Sequence, residues 1–135
     1  MTENLQIQRD IIKDLLDRIT SPSRKGREGA VEALAVSTRD ENWRPDELIR
    51  QGGIEIVASL LHDKNTHIVV SALDIITATA SGGEEEALIG AGVIAVLNEI
   101  QDHKAAVVQK KVREALWVLE PEVEEVVTSK PQDEY

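Results

Sequence analysis

Apolar residues recur every three or four positions along most of the chain, which is the spacing of one buried face of an α-helix. Ile11, Leu15 and Ile19 follow this spacing and predict a helix over residues 5–19, which the turn at 21–23 ends. The same pattern predicts helices over residues 24–38, 45–51, 54–61, 66–80, 93–100 and 105–119, and a short one that residues 84–86 open. Thr66 is expected to cap the helix that begins there. Because no segment alternates with period two, we predict no strand and an all-α fold.

This apolar pattern repeats along the chain. Gly52 and Ile54 reappear as Gly92 and Ile94 after a shift of 40 residues. The same shift carries Leu48 to Leu88, Leu60 to Ile100, Ile68 to Val108 and Ile76 to Leu116, and a shift of 42 carries Ala30 to Ala72 and Leu34 to Ile76. A period near 40 that contains short, medium and long helices is typical of a helical solenoid, in which stacked units share one core.

The residues around the two glycines resemble armadillo repeats. The run from Gly52 to Leu61 is similar to the turn and second helix of that family, and residues 91–94 repeat the match. HEAT repeats share the period, but a glycine turn between the two shorter helices favours armadillo. The resemblance implies a right-handed α-solenoid of about three armadillo-type repeats, in a domain over residues 1–119 with units near 5–51, 52–91 and 92–119. It also implies buried positions on the third helix of the middle unit, at Ile68, Ala72, Ile75 and Ile76.

The resemblance further implies where a partner binds. In armadillo proteins the third helices line a concave groove that takes extended peptides or protein surfaces. The Trp and Asn positions with which the peptide-importing branch clamps a peptide backbone correspond here to Glu32, Asp74 and Glu114, and to Val36, Ala78 and Val118. Because Val and Ala side chains cannot hydrogen-bond a peptide backbone, we do not transfer the binding of nuclear localisation signals to this chain.

These six residues define the candidate groove. Acids beside apolar residues suit a basic, partly apolar protein or peptide. The alternative interpretation is that the acids are ordinary solvated residues on exposed helix faces. The leading functional hypothesis is a non-enzymatic adaptor or scaffold. The second hypothesis is a nucleotide-exchange factor for the heat-shock chaperone ATPase, because residues 68–80 resemble a helix of that group.

The amino-acid composition favours some classes of binding partner and some cellular compartments over others. The 135 residues suit one domain, and 15 Lys and Arg against 25 Asp and Glu give a net charge of −10. This charge disfavours nucleic acids and anionic membranes as partners. The absence of Cys excludes disulfides and thiol chemistry, and the scarcity of aromatic residues predicts an aliphatic core. The sequence shows neither a secretion signal nor a long apolar span, which favours a cytoplasmic protein.

No set of reactive residues has catalytic or metal-binding spacing. The histidines, at positions 62, 67 and 103, do not converge with other ligands, and the glycine turns lack the lysine of a phosphate loop. We therefore predict no enzyme activity, no metal and no cofactor. Residues 120–135 are acidic and polar, and they are predicted to form a partly disordered tail. If this tail leaves the last helix uncovered, Trp117 and Leu119 would offer an apolar surface for self-association into a homo-oligomer.

Overall fold

The helical pattern of the sequence is reproduced in the structure, a computed structural model that describes residues 2–21 and 24–120. Over these residues the chain forms eight α-helices and no β-strand. The helices are α1 (Thr2–Ile19), α2 (Arg24–Ser37), α3 (Pro45–Arg50), α4 (Gly53–Ser59), α5 (Thr66–Ser81), α6 (Glu85–Gly90), α7 (Val93–Glu99) and α8 (Ala106–Leu119). The all-α prediction is confirmed, whereas the predicted acidic tail lies, beyond residue 120, outside the described residues.

Two local differences from the predicted elements have simple causes. The helix predicted over residues 54–61 ends at Ser59 and continues as a 3-10 turn, Leu60–His62, because tighter bonding satisfies carbonyls at a helix end. The prediction that Thr66 caps α5 is wrong. Asn65 is the cap, since its side-chain oxygen accepts a hydrogen bond of 2.9 Å from the backbone N–H of His67.

This cap occurs in only one of the two matching loops, which allows a paired test. The position equivalent to Asn65 before α8 is Ala105, which has no side-chain cap. We expect Asn65→Ala, which removes both the cap and a hydrogen bond from Asn65 to Glu28, to lower the free energy of unfolding by about 1–2 kcal/mol, and Ala105→Asn to raise it by about 1 kcal/mol. Urea unfolding followed by circular dichroism measures both. If the two substitutions shift stability in the same direction, a cap is not the reason.

Glycines allow the sharp turn between each short helix and the medium helix after it. Gly52 and Gly92 have φ angles of 74° and 79°, in the left-handed region that a side chain disfavours. Gly52 lies directly before α4 and turns the chain between α3 and α4. Gly92 lies directly before α7 and turns the chain between α6 and α7. The unit boundaries after residues 51 and 91 stay a prediction.

Helix α5 lies at the centre of an aliphatic core. It packs against α2 on one side and α8 on the other, and it also contacts α4 and α6. The four positions that the family resemblance places in the core are at most 2% exposed: Ile68, Ala72, Ile75 and Ile76. The described residues therefore form an α-solenoid, in which the pair α1–α2 is followed by the sets α3–α5 and α6–α8. The long helices α2, α5 and α8 lie side by side.

Helices α5 and α8, the long helices of the two matched sets, differ in the polarity of one side. Val69, Leu73 and Ala80 of α5 are buried. The residues 40 positions later are polar and partly or fully exposed: Gln109, Arg113 and Glu120. Because α5 has a long helix on both sides and α8, within residues 2–21 and 24–120, has one on a single side, we infer that this outer side of α8 is suited to water.

Candidate peptide-binding groove

Only one stripe of α5 is open to solvent. Its partly or fully exposed residues include His67, Val70, Asp74, Ala78 and Ser81, which recur at intervals of three and four. This spacing places them on one side of the helix, while the remaining sides are buried by neighbouring helices. Two of the predicted groove residues, Asp74 and Ala78, therefore lie on the one face of α5 that a partner can reach.

The other four predicted groove residues occupy the equivalent positions of the flanking helices. On α2, Glu32 is exposed and Val36 is 59% exposed. On α8, Glu114 is exposed and Val118 is half-buried. Since α2 and α8 pack on either side of α5, the same helical position places all six residues along one face of a three-helix layer. The face combines carboxylates with accessible apolar surface.

The carboxylates of this face are not equivalent. Lys111 Nζ of α8 lies 2.7 Å from Asp74 Oδ1 of α5, and both side chains are 28% exposed. The pair joins neighbouring long helices and neutralises the middle acid of the face. Repeat comparison misses this contact because the positions equivalent to Lys111 are Gly29 and Ser71, which carry no charge.

Polar contacts also hold α2 against the loop that precedes α5. The Asn65 side-chain amide donates a hydrogen bond of 2.8 Å to Glu28 Oε1. Arg27 Nη2 lies 3.5 Å from Asp63 Oδ2. These contacts fix α2, and with it Glu32, relative to the beginning of α5.

Comparison with known proteins gives a fold but no close relative. No family model and no curated protein sequence matches the chain. Among solved structures, a designed armadillo repeat protein in complex with the peptide (KR)4 matches with a TM-score of 0.73 at 24% identity, over 80% of this chain and 46% of that one. A computationally designed armadillo repeat protein for modular peptide recognition matches with a TM-score of 0.71 at 25% identity, over 77% of this chain and 44% of that one.

The chain has an armadillo-type repeat fold. An engineered protein adds a third match, with a TM-score of 0.74 at 22% identity over 82% of this chain and 46% of that one. The chain thus spans less than half the length of these three neighbours. The likeness establishes the fold.

The end of the last armadillo-type helix exposes one of the two residues predicted to mediate self-association. Trp117 is 59% exposed, but Leu119 is only 6% exposed. The prediction that Leu119 lies on an exposed surface is therefore wrong. Leu119 continues the buried stripe of Val108, Val112 and Ala115, because the spacing of three and four residues places it on the same side of α8.

The histidines of the armadillo-type units have separate surroundings. His62 Nε2 lies 3.1 Å from Glu99 Oε1 at the surface. His103 Nδ1 instead accepts a hydrogen bond of 3.0 Å from the backbone N–H of Ala105, so it shapes the loop before α8. Within residues 2–21 and 24–120, no three His, Asp or Glu side chains are grouped so that they could hold a metal ion. No helix of that part of the chain is long and apolar enough to cross a membrane.

The pKa of Asp46, at the beginning of α3, is shifted by its ion pair with Arg44. Arg44 Nη2 lies 3.1 Å from Asp46 Oδ2, and the hydrogen bond from Arg44 lowers the pKa of the Asp46 carboxyl. A lowered pKa means that this pair stabilises the fold above the carboxyl's unfolded pKa and ceases to do so as pH falls through the folded value. Neither Arg44 nor Asp46 is one of the six groove residues.

Proposed function

We propose that this chain is a non-enzymatic interaction module that binds an extended, basic and partly apolar segment of a partner protein across α2, α5 and α8. The observation that carries the proposal is the single open stripe of α5, which leaves Asp74 and Ala78 accessible between the exposed residues of α2 and α8. A groove with carboxylates suits basic side chains, and apolar surface such as that of Val36 gains from burial.

The comparison with designed armadillo repeat proteins supports a peptide as the ligand. One of those proteins is in complex with the basic peptide (KR)4, and another is designed for modular peptide recognition. We extend this mode of binding to the present chain as a proposal, together with an adaptor role in the cytoplasm. The net charge of −10 is consistent with a basic partner.

A charge-reversal experiment tests the groove. Replacing Glu32 and Glu114 with Lys is expected to weaken binding of a fluorescent (KR)4 peptide by about tenfold at low salt, because two attractive pairs become repulsive. Fluorescence anisotropy measures the dissociation constant. Asp74 is kept in this variant, since Asp74→Lys would also break the ion pair with Lys111.

The matched control reverses two exposed acids outside the groove, Glu55 and Glu86, and therefore has the same net charge. It should bind the peptide close to wild type. Equal loss of binding in both variants would mean that the peptide responds only to total charge, and the groove assignment would then fail. Circular dichroism of both variants establishes that the helices persist.

Two further predictions concern other modes of action. The exchange-factor hypothesis predicts that the protein accelerates ADP release from a heat-shock chaperone ATPase, which a nucleotide-release assay measures directly.

Self-association through Trp117 predicts a mass above that of the monomer in light scattering at high concentration, and a return to the monomer mass in Trp117→Ser.

A further inference from the structure

The central carboxylate of the candidate groove is already bound by a side chain of the same molecule. The distance of 2.7 Å between Lys111 Nζ and Asp74 Oδ1 is that of a charge-assisted hydrogen bond. Both side chains are held on packed helices and are only 28% exposed. A basic residue of a ligand near Asp74 therefore meets an acid whose charge is already neutralised, beside a positive Lys111.

The two outer carboxylates are free to accept a ligand. Glu32 and Glu114 are exposed, and neither forms an ion pair with another residue of the described ranges. Lys111 of α8 pairs with Asp74 of α5. The residues at the equivalent positions one unit earlier are Ser71 of α5 and Glu32 of α2. Because serine has no charge, Glu32 is not neutralised in this way.

The spacing of the long helices sets the distance between the free carboxylates. Adjacent packed helices lie about 8–10 Å apart, so two such steps separate the acids of α2 and α8 by roughly 20 Å. An extended peptide rises about 3.3 Å per residue, so this separation corresponds to roughly six residues. Successive side chains of an extended peptide point to opposite faces, so positions 3 and 5 face the same way as positions 1 and 7 and lie nearest the Asp74–Lys111 pair.

We propose that the groove selects an extended peptide with two basic residues about six positions apart and gains nothing from a further basic residue that faces the groove between them. This specificity rests on the proposed peptide-binding function. Lys111 is the positioning residue, because it removes Asp74 from ligand recognition and leaves Glu32 and Glu114 as the two contacts for charge. A segment with neutral or apolar residues between two basic ones fits this pattern better than a continuous basic run.

Three peptides of equal length test the proposal. They carry Arg at positions 1 and 7, at 1, 3 and 7, or at 1 and 3, and Ala or Ser elsewhere. Wild type is expected to bind the first two with dissociation constants within about twofold, and the third about threefold more weakly. In Lys111→Met, which frees Asp74, the peptide with Arg at 1, 3 and 7 should become about fivefold tighter than the peptide with Arg at 1 and 7.

Lys110→Met is the matched control, because Lys110 is the adjacent exposed lysine and forms no ion pair within the described residues. It removes the same charge and should change the affinity for all three peptides by a similar factor, so that their ratios stay those of wild type. Thermal melts followed by circular dichroism verify that both variants fold.

The outcomes separate this inference from the proposed function. If wild type binds none of the three peptides, the proposed function fails and the specificity fails with it. If wild type binds the peptides but already prefers Arg at 1, 3 and 7 as strongly as Lys111→Met does, the function stands and the role of Lys111 is overturned. A fivefold preference that appears only in Lys111→Met supports the proposal.

Discussion

Replacing Leu73 with alanine is expected to lower the free energy of unfolding by about 3 kcal/mol, the largest effect of any substitution considered for this chain. Leu73 is 0% exposed in the middle of α5, the helix that contacts α2, α4, α6 and α8. Truncation there leaves a cavity that several helices would have to move to fill. Urea denaturation monitored by circular dichroism gives the value.

Two controls make this prediction specific to packing. Leu73→Met keeps most of the volume and should cost less than about 1.5 kcal/mol. Val36→Ala also shortens an apolar side chain, but at an exposed position, and should change stability by about 0.5 kcal/mol or less. A Leu73→Ala variant as stable as Val36→Ala would show that α5 is not the centre of the core.

Replacing Arg9 with alanine is expected to cost about 2–3 kcal/mol, because it leaves a buried carboxylate without its closest cation. The side chain of Glu47 on α3 is 3% exposed, and its Oε1 lies 3.2 Å from Arg9 Nε of α1. The remaining cation, Arg50, is farther away, with its Nη1 at 3.9 Å from the same oxygen. Chemical denaturation of the variant measures the loss.

A double-mutant cycle separates charge burial from loss of packing. Adding Glu47→Gln to Arg9→Ala removes the uncompensated charge and should recover about 1 kcal/mol. Arg18→Ala breaks the exposed Arg18–Asp14 pair, whose charged atoms are 3.1 Å apart, and should cost about 0.5 kcal/mol or less. No recovery in the double variant would mean that the arginine stem, rather than its charge, stabilises this contact.

The repeating features of the fold were predictable from the sequence because each is encoded more than once. The glycine turns at Gly52 and Gly92 follow from the 40-residue shift, the buried positions of α5 were implied by the resemblance to armadillo repeats, and the structure confirms both. The helix ends were less predictable. Asn65 and Thr66 are adjacent and both are good caps, so sequence alone did not decide which one bonds the first turn of α5.

The ion pair in the candidate groove and the ion pair between α1 and α3 were not predictable in this way. Lys111–Asp74 and Arg9–Glu47 each join residues 37 or 38 positions apart. Neither has a counterpart in another unit, since the residues that match Lys111 are Gly29 and Ser71, and the residue that matches Glu47 is Ala87. A repeat pattern reveals what units share, whereas these pairs depend on what distinguishes one unit from the next.

The polar outer side of α8 has a consequence for how such a protein could be lengthened. A duplicate of residues 45–84 inserted before α6 would meet, on both sides, the kind of apolar surface that Val69 and Leu73 already provide between neighbours. The same duplicate appended after residue 120 would press its leucines and valines against Gln109, Arg113 and Glu120. We therefore expect internal duplication to lengthen the solenoid, whereas terminal addition would first require those three positions to become apolar.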